Sequence, residues 1–297
     1  MSDWKTYQNG NFTVKINTRN GTKIRETEDD KFIPAFSECM DIKITNQCDK
    51  ACPFCHEGST IYGKHADIMN EKFIETLHPY QEVAIGGGDI TSHPDLIPFL
   101  RKLKELHVIP NITVNQKHFE EKQELIKHLV QEELIYGLGV SLVEPSARFI
   151  ELIEKYPNAV IHVINGILKP KDVEALKYRN LKILILGYKD LRRGLEWHKK
   201  DNQEITENQN WLYHHLPKML SEFQVVSFDN LAIEQLDVKR LVDEDEWEEF
   251  YMGDDSEFTY YIDMVERKFA KSSTAPMNER YDLLDSVDDM FEMIRKK

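Results

Sequence analysis

The chain has only four cysteines among its 297 residues, and none follows Cys55. So sparse a set, with three members clustered, cannot make the disulfide framework of a secreted domain. No apolar run approaches the length of a membrane span. The opening MSDWKTYQNGN carries no apolar core of a secretory signal. The expected compartment is therefore the reducing cytoplasm, with no membrane partner. Basic charge is also short: 38 Lys and Arg against 52 Asp and Glu leave a net charge of −14. A general phosphate-backbone binder is expected to be basic, so general nucleic-acid binding is not expected. No P-loop, GxGxxG, GxSxG or HExxH pattern occurs among these residues, although there are eleven histidines.

What is present is concentrated in residues 41–57, DIKITNQCDKACPFCHE. Cys48, Cys52 and Cys55 are spaced C-x3-C-x2-C behind the β-branched run Ile42 to Thr45, which reads as a strand. The cysteines thus leave the C-terminal end of a strand, where α/β folds place their chemistry. Three thiolates on one short loop can converge on one metal centre. A cubane of four irons takes four ligands, usually Cys. Three supplied locally leave one iron open, as a catalytic metal site requires. A zinc site using the same cysteines with His56 or His65 is the alternative reading. Cys39 stands apart and reads as a small buried hydrophobe.

A second feature is Gly86-Gly87-Gly88-Asp89 at the end of the run Val83 to Ile85. Glycines at a strand end let backbone approach a ligand closely, and the carboxylate adds a charge that an ammonium group could meet. Around these motifs, strands at 41–45, 82–86, 109–115, 136–143, 159–165, 181–187 and 224–228 alternate with helices at 69–79, 94–107, 117–132, 146–156, 170–178 and 204–222. Runs such as Val83-Ala84-Ile85 and Ile183-Leu184-Ile185-Leu186 predict strands covered on both faces. Repeated βα units imply a parallel sheet. Periodicity alone leaves a partial barrel and a doubly wound sheet both open.

The spacing of Cys48, Cys52 and Cys55, with Phe54 before the last cysteine and Lys43 to Gln47 leading in, resembles the signature of the radical S-adenosylmethionine (SAM) superfamily. The resemblance covers about 41–228 and selects the fold: an α/β chain with a partial (β/α)6 TIM-like barrel. It implies one [4Fe-4S] cluster on the three cysteines, with SAM chelated at the open iron. SAM would be cleaved reductively to a 5′-deoxyadenosyl radical, which abstracts hydrogen from a substrate. Gly87, Gly88 and Asp89 fill the family's Gly-Gly-Glu-Pro positions, with Asp for Glu and Ile90 for Pro. By the same resemblance Asn115, Ser141, Asn165 and Tyr188, at later strand ends, are implied as SAM contacts. A flavodoxin or ferredoxin is the implied electron donor. With no cysteine after Cys55, a second cluster of thiolate ligation is not expected.

The substrate is not legible. A small molecule, a nucleotide and a peptide all stay open. His56, Glu57, His93, Lys189, Arg192 and Arg193 lie on strand-end loops and are candidates to face it. The arginine pair could clamp a carboxylate or phosphate. Flanking the core are 1–40, read as a small β-hairpin, and 229–297, an α+β extension with an acidic run, a short hairpin and a terminal amphipathic helix. A non-catalytic zinc- or cluster-binding protein on the same scaffold is the rival function.

Overall fold

The protein is described here by a computed structural model, over residues 3–296. Three strands open the chain: β1 (Trp4–Asn9), β2 (Phe12–Asn17) and β3 (Lys23–Glu26). They form an antiparallel sheet in that order, so the hairpin expected from the turn residues gains a third strand. Seven strands follow: β4 (Cys39–Thr45), β5 (Glu82–Gly87), β6 (Ile109–Asn115), β7 (Gly137–Ser141), β8 (Ala159–Ile164), β9 (Lys182–Leu186) and β10 (Val225–Phe228). Each pairs in parallel with its successor. The tail then returns to the first of them. β11 (Thr259–Asp263) adds in parallel to the free edge of β4, and β12 (Lys268–Ala270) and β13 (Tyr281–Asp282) continue antiparallel. Among the described residues β10 and β13 pair on one side only, so the barrel is partial and open.

Helices fill the connections: α1 (Leu96–Glu105), α2 (Gln116–Glu121), α3 (Gln123–Gln131), α4 (Ala147–Ile153), α5 (Pro170–Leu176), α6 (Arg193–Met219), α7 (Asn230–Leu236), α8 (Glu244–Phe250) and α9 (Val287–Arg295). In α1 the stripe Leu96, Phe99, Leu100 and Leu103 is fully buried, each side chain stabilising the fold by about 1.5–3 kcal/mol. Ser146, Asp229 and Ser286 cap α4, α7 and α9 through their side-chain oxygens. Three expectations change. The helix at 69–79 is only a 3-10 turn, Lys72–Thr76. The helix at 117–132 breaks at Lys122, whose backbone leaves the helical region as its ammonium reaches Asp89. α6 starts eleven residues earlier than 204, because its first three turns bury only Gly194 and carry no apolar stripe to read.

Burial alternates along the parallel strands. Met40, Ile42 and Ile44 are buried on one face of β4, as are Val83 and Ile85 of β5, Ile161 and Val163 of β8, and Ile183 and Ile185 of β9. The opposite face carries Ala84, Gly86, Asn111, Thr113, Ser141, His162, Lys182 and Leu184, all partly open to solvent. The apolar runs are therefore covered on one face, not two. A closed barrel fills its interior with layers of bulky branched residues; this open face mixes small and polar residues with Leu184.

The two ends of the sheet differ. At the N-terminal end of β4 and β5, Lys23 of β3 pairs with Glu38 at 3.1 Å and with Glu82. Arg25 meets Glu38 at 2.7 Å and lies 3.7 Å over the Phe258 ring. Cys39 lies at this end, where burial pushes its thiol well up. Such a thiol is protonated and inert. The opposite, C-terminal end carries the other three cysteines.

Candidate functional site: the cysteine loop

The chain leaves β4 at Thr45 and loops back on itself before reaching β5. Hydrogen bonds close it: Asn46 N to Lys64 O at 3.0 Å, Cys48 N to Thr60 O at 2.8 Å and Ala66 N to Ile44 O at 2.9 Å. Within it, Cys55 N donates to Cys52 O at 3.2 Å and Gly58 N to Cys55 O at 3.1 Å. These tight turns present three unpaired, half-buried thiols. Burial is the first cause raising the Cys48 and Cys52 thiols, and neighbouring thiolates add to it: Cys55 and Cys48 act on Cys52, and Cys55 acts on Cys48. To act together as thiolates the three sulfurs would need a cationic centre to neutralise them. Asn115 Nδ2 also approaches Cys52 Sγ at 3.8 Å.

The donor set, three cysteine sulfurs on one loop, is of the kind that ligates iron–sulfur clusters. Among the described residues, the candidate ligand atoms that gather within 4.8 Å belong to Cys48, Asp49 and His118. The three sulfurs do not crowd together in that way, nor do they with His56 or His65. His118 is moreover engaged by Asp49 at 2.7 Å.

The glycine turn is seated directly on this loop. Gly88 N donates to Thr45 O and Asp89 N to Gln47 O, each at 2.7 Å. Gly87 has φ of +121°, and a Cβ there would lie 2.3 Å from Thr45 O; one on Gly88 would lie 2.2 Å from Gln47 O. Only glycine permits this approach. Gly86 is different: a Cβ there meets nothing within 4 Å. Asp89 is buried and fully used. Its carboxylate accepts from Thr91 N at 3.0 Å and from the Thr91 hydroxyl, pairs with Lys122 at 3.2 Å, and lies 3.5 Å from His118 Nδ1. It ties the turn to α2 and the break before α3.

The remaining candidates form two groups. Asn115 and Ser141 are register partners on β6 and β7, beside the loop. Asn115 caps α2 by accepting from Lys117 N at 2.9 Å. Ser141 is in turn the register partner of His162 on β8. His162 was not singled out in the sequence. Its ring lies against Gly139, where a Cβ would sit 2.4 Å from it, and desolvation lowers the imidazole to about 4. The second group is separate. Asn165 and Tyr188 both meet Gln235: Asn165 Nδ2 donates to it at 3.0 Å, and its amide bonds Tyr188 N and O at 2.9 Å each. Asn165 Oδ1 is buried without a partner. The Tyr188 hydroxyl donates to Gly194 O at 2.8 Å, and burial pushes it up to about 12.

Several charged candidates are engaged within the protein. His93 is buried, bonding Ala66 O at 3.0 Å and accepting from Asp95 N at 3.1 Å. Arg192 and Arg193 clamp the loop itself rather than an anion. Arg192 Nη1 donates to Glu57 O at 2.6 Å, and Arg193 donates to Cys52 O at 3.0 Å and Ser59 O at 2.9 Å. Glu57 pairs with Lys43, and Phe54 packs by its carbonyl near Gly194.

No protein-family model matches the chain, and no curated protein matches it. Solved structures do. Streptococcus suis SuiB bound to S-adenosylmethionine superposes with a TM-score of 0.62 at 13% identity, covering 98% of this chain and 87% of that one. SuiB bound to precursor peptide SuiA gives a TM-score of 0.57 at 14% identity, over 91% and 82% of the two chains. The chain therefore shares the fold of SuiB along nearly its whole length.

Proposed function

We propose that the protein is a radical SAM enzyme, with Cys48, Cys52 and Cys55 as ligands to one [4Fe-4S] cluster. Held by these three cysteines, such a cluster would supply the electron for reductive cleavage of SAM. The observation that carries this reading is the trio of free, half-buried cysteines on one loop at the C-terminal end of β4. The glycine turn, hydrogen-bonded to the same loop, offers backbone to the methionine end of SAM. Asp89 is already engaged, so that contact falls to the Gly87 and Gly88 backbone. Asn115 stands at Cys52, and Ser141 and His162 extend from it across the open face. These groups would bind and orient the cofactor, and the open face beside them would receive the substrate.

The likeness to a fold that holds SAM in one structure and a precursor peptide in another supports a peptide as the substrate class. A flavodoxin or ferredoxin would supply the electron, in the cytoplasm. The test is anaerobic reconstitution, then dithionite and SAM, with 5′-deoxyadenosine measured by mass spectrometry. A protein holding an intact four-iron cluster that releases no SAM-derived product would refute the proposal.

A further inference from the structure

We propose that Arg193 is the positioning residue of the cysteine loop, bridging its Cys52 and Ser59 carbonyls and fixing one positive charge beside Cys52. The inference rests on reading the loop as a cluster site. The guanidinium donates through Nε to Cys52 O and through Nη1 to Ser59 O. Those carbonyls bracket Cys55, so one planar fork closes the segment carrying two of the three thiols. The contacts span 141 and 134 residues of sequence, so they tie the loop to a distant element, the start of α6. Lysine cannot reproduce them, since a single ammonium has no rigid fork to bridge two fixed acceptors.

The start of α6 is built to hold Arg193 there. Arg192 has a positive φ of 47°, a strained conformation for a non-glycine residue. Its own side chain reaches Glu57 O, so three carbonyls around Cys55 are satisfied from two consecutive arginines. Gly194 follows, where a Cβ would lie 2.4 Å from Lys189 O and 3.4 Å from Phe54 O. A side chain here would collide with the Lys189 carbonyl, and the Phe54 carbonyl of the loop stands at contact distance. The Tyr188 hydroxyl locks the same point through Gly194 O. Two consequences follow. The loop is held closed by geometry, and a cluster on it sits beside a fixed cation. Net charge and hydrogen bonding set the potential of an iron–sulfur centre, and a cation stabilises the more negative, reduced form.

Two variants separate these effects in the reconstituted full-length protein. Arg193→Lys keeps the charge and loses the fork; Arg193→Gln loses both. Iron removal by a chelator should be about tenfold faster in each. The midpoint potential, titrated with electron paramagnetic resonance, should stay at the wild-type value in the Lys variant. In the Gln variant it should fall by a shift equivalent to about tenfold in the reduction equilibrium, about 59 mV for one electron. The retention effect is read from the Lys variant alone, so poor folding of the Gln variant does not remove the test. Wild-type chelation rates in the Lys variant, a wild-type potential in the Gln variant, or a Lys variant whose potential falls as far as that of Gln would each overturn the inference. A wild-type chain that takes up no four-iron cluster would remove the underlying reading as well, and is seen before any variant is compared.

Discussion

Lys43 Nζ lies 2.8 Å from Glu57 Oε2, and this pair joins the strand before the cysteines to the loop after them. The same ammonium reaches Asp263 Oδ2 of β11 at 3.1 Å. Arg280 comes within 3.5 Å of that carboxylate and holds Ser273 O at 2.8 Å and Ala275 O at 2.9 Å. The C-terminal strands thus end on the cysteine loop. Burial works to raise Glu57, but His56 and Lys43 outweigh it and hold the carboxyl well below the usual range.

Removing this cation should be costly. Lys43→Met leaves two buried carboxylates facing each other without their shared partner. Breaking a buried pair in this way costs about 3–5 kcal/mol. The expected result is a loss of that size in urea unfolding of the cluster-free chain. Asp263→Asn, which keeps the shape and leaves Lys43 paired with Glu57, should lose less. Equal losses in the two variants would show that Lys43 is not the hub.

The cysteines should divide three to one. Cys52→Ala removes one of three proposed ligands and should abolish retention of a full cluster, measured as iron and sulfide per chain. Cys39→Ala should retain it, because Cys39 sits at the opposite end of β4. A Cys52→Ala protein with wild-type iron content would remove the ligand assignment.

The glycines can be ranked the same way. Gly88→Ala places a methyl 2.2 Å from Gln47 O, and Gly87→Ala adds a positive φ to a 2.3 Å clash with Thr45 O. Strain of this kind costs about 1–3 kcal/mol at each position, and it should appear both in unfolding and in weaker cluster retention. Gly86→Ala meets open space and should leave both unchanged. A Gly86 variant as damaged as the other two would mean that the turn is not seated on the loop as described.

The cysteine spacing and the glycine turn were legible because they are local in sequence and chemically restricted. The strand order was legible because each βα unit repeats the same pattern. The ten-stranded extent of the sheet was not, since nothing in Thr259 to Asp263 names β4 as its partner. The hold of Arg193 on the loop was not legible, because its acceptors are backbone carbonyls, which leave no trace in side-chain identity. His162 was missed for a related reason. It occupies an inward position in an apolar run, and only Gly139 on the neighbouring strand makes room for its ring. Cross-strand fits of this kind depend on register, which only the fold supplies.

His162 also gives the stability curve a testable slope. Desolvation, with no neighbouring charge contributing, lowers its imidazole to about 4. The unfolded chain titrates near the ordinary value of about 6.5. Between those values the unfolded state binds a proton that the folded state refuses, so stability falls as pH falls. The difference amounts to about 3 kcal/mol, lost between about pH 6.5 and pH 4. His162→Phe keeps a ring against Gly139 and has nothing to protonate, so its unfolding free energy should lose that part of the slope. Denaturant unfolding of both proteins at intervals across this range checks the prediction. Parallel curves for wild type and His162→Phe would place the imidazole in water, not in the desolvated position packed against Gly139.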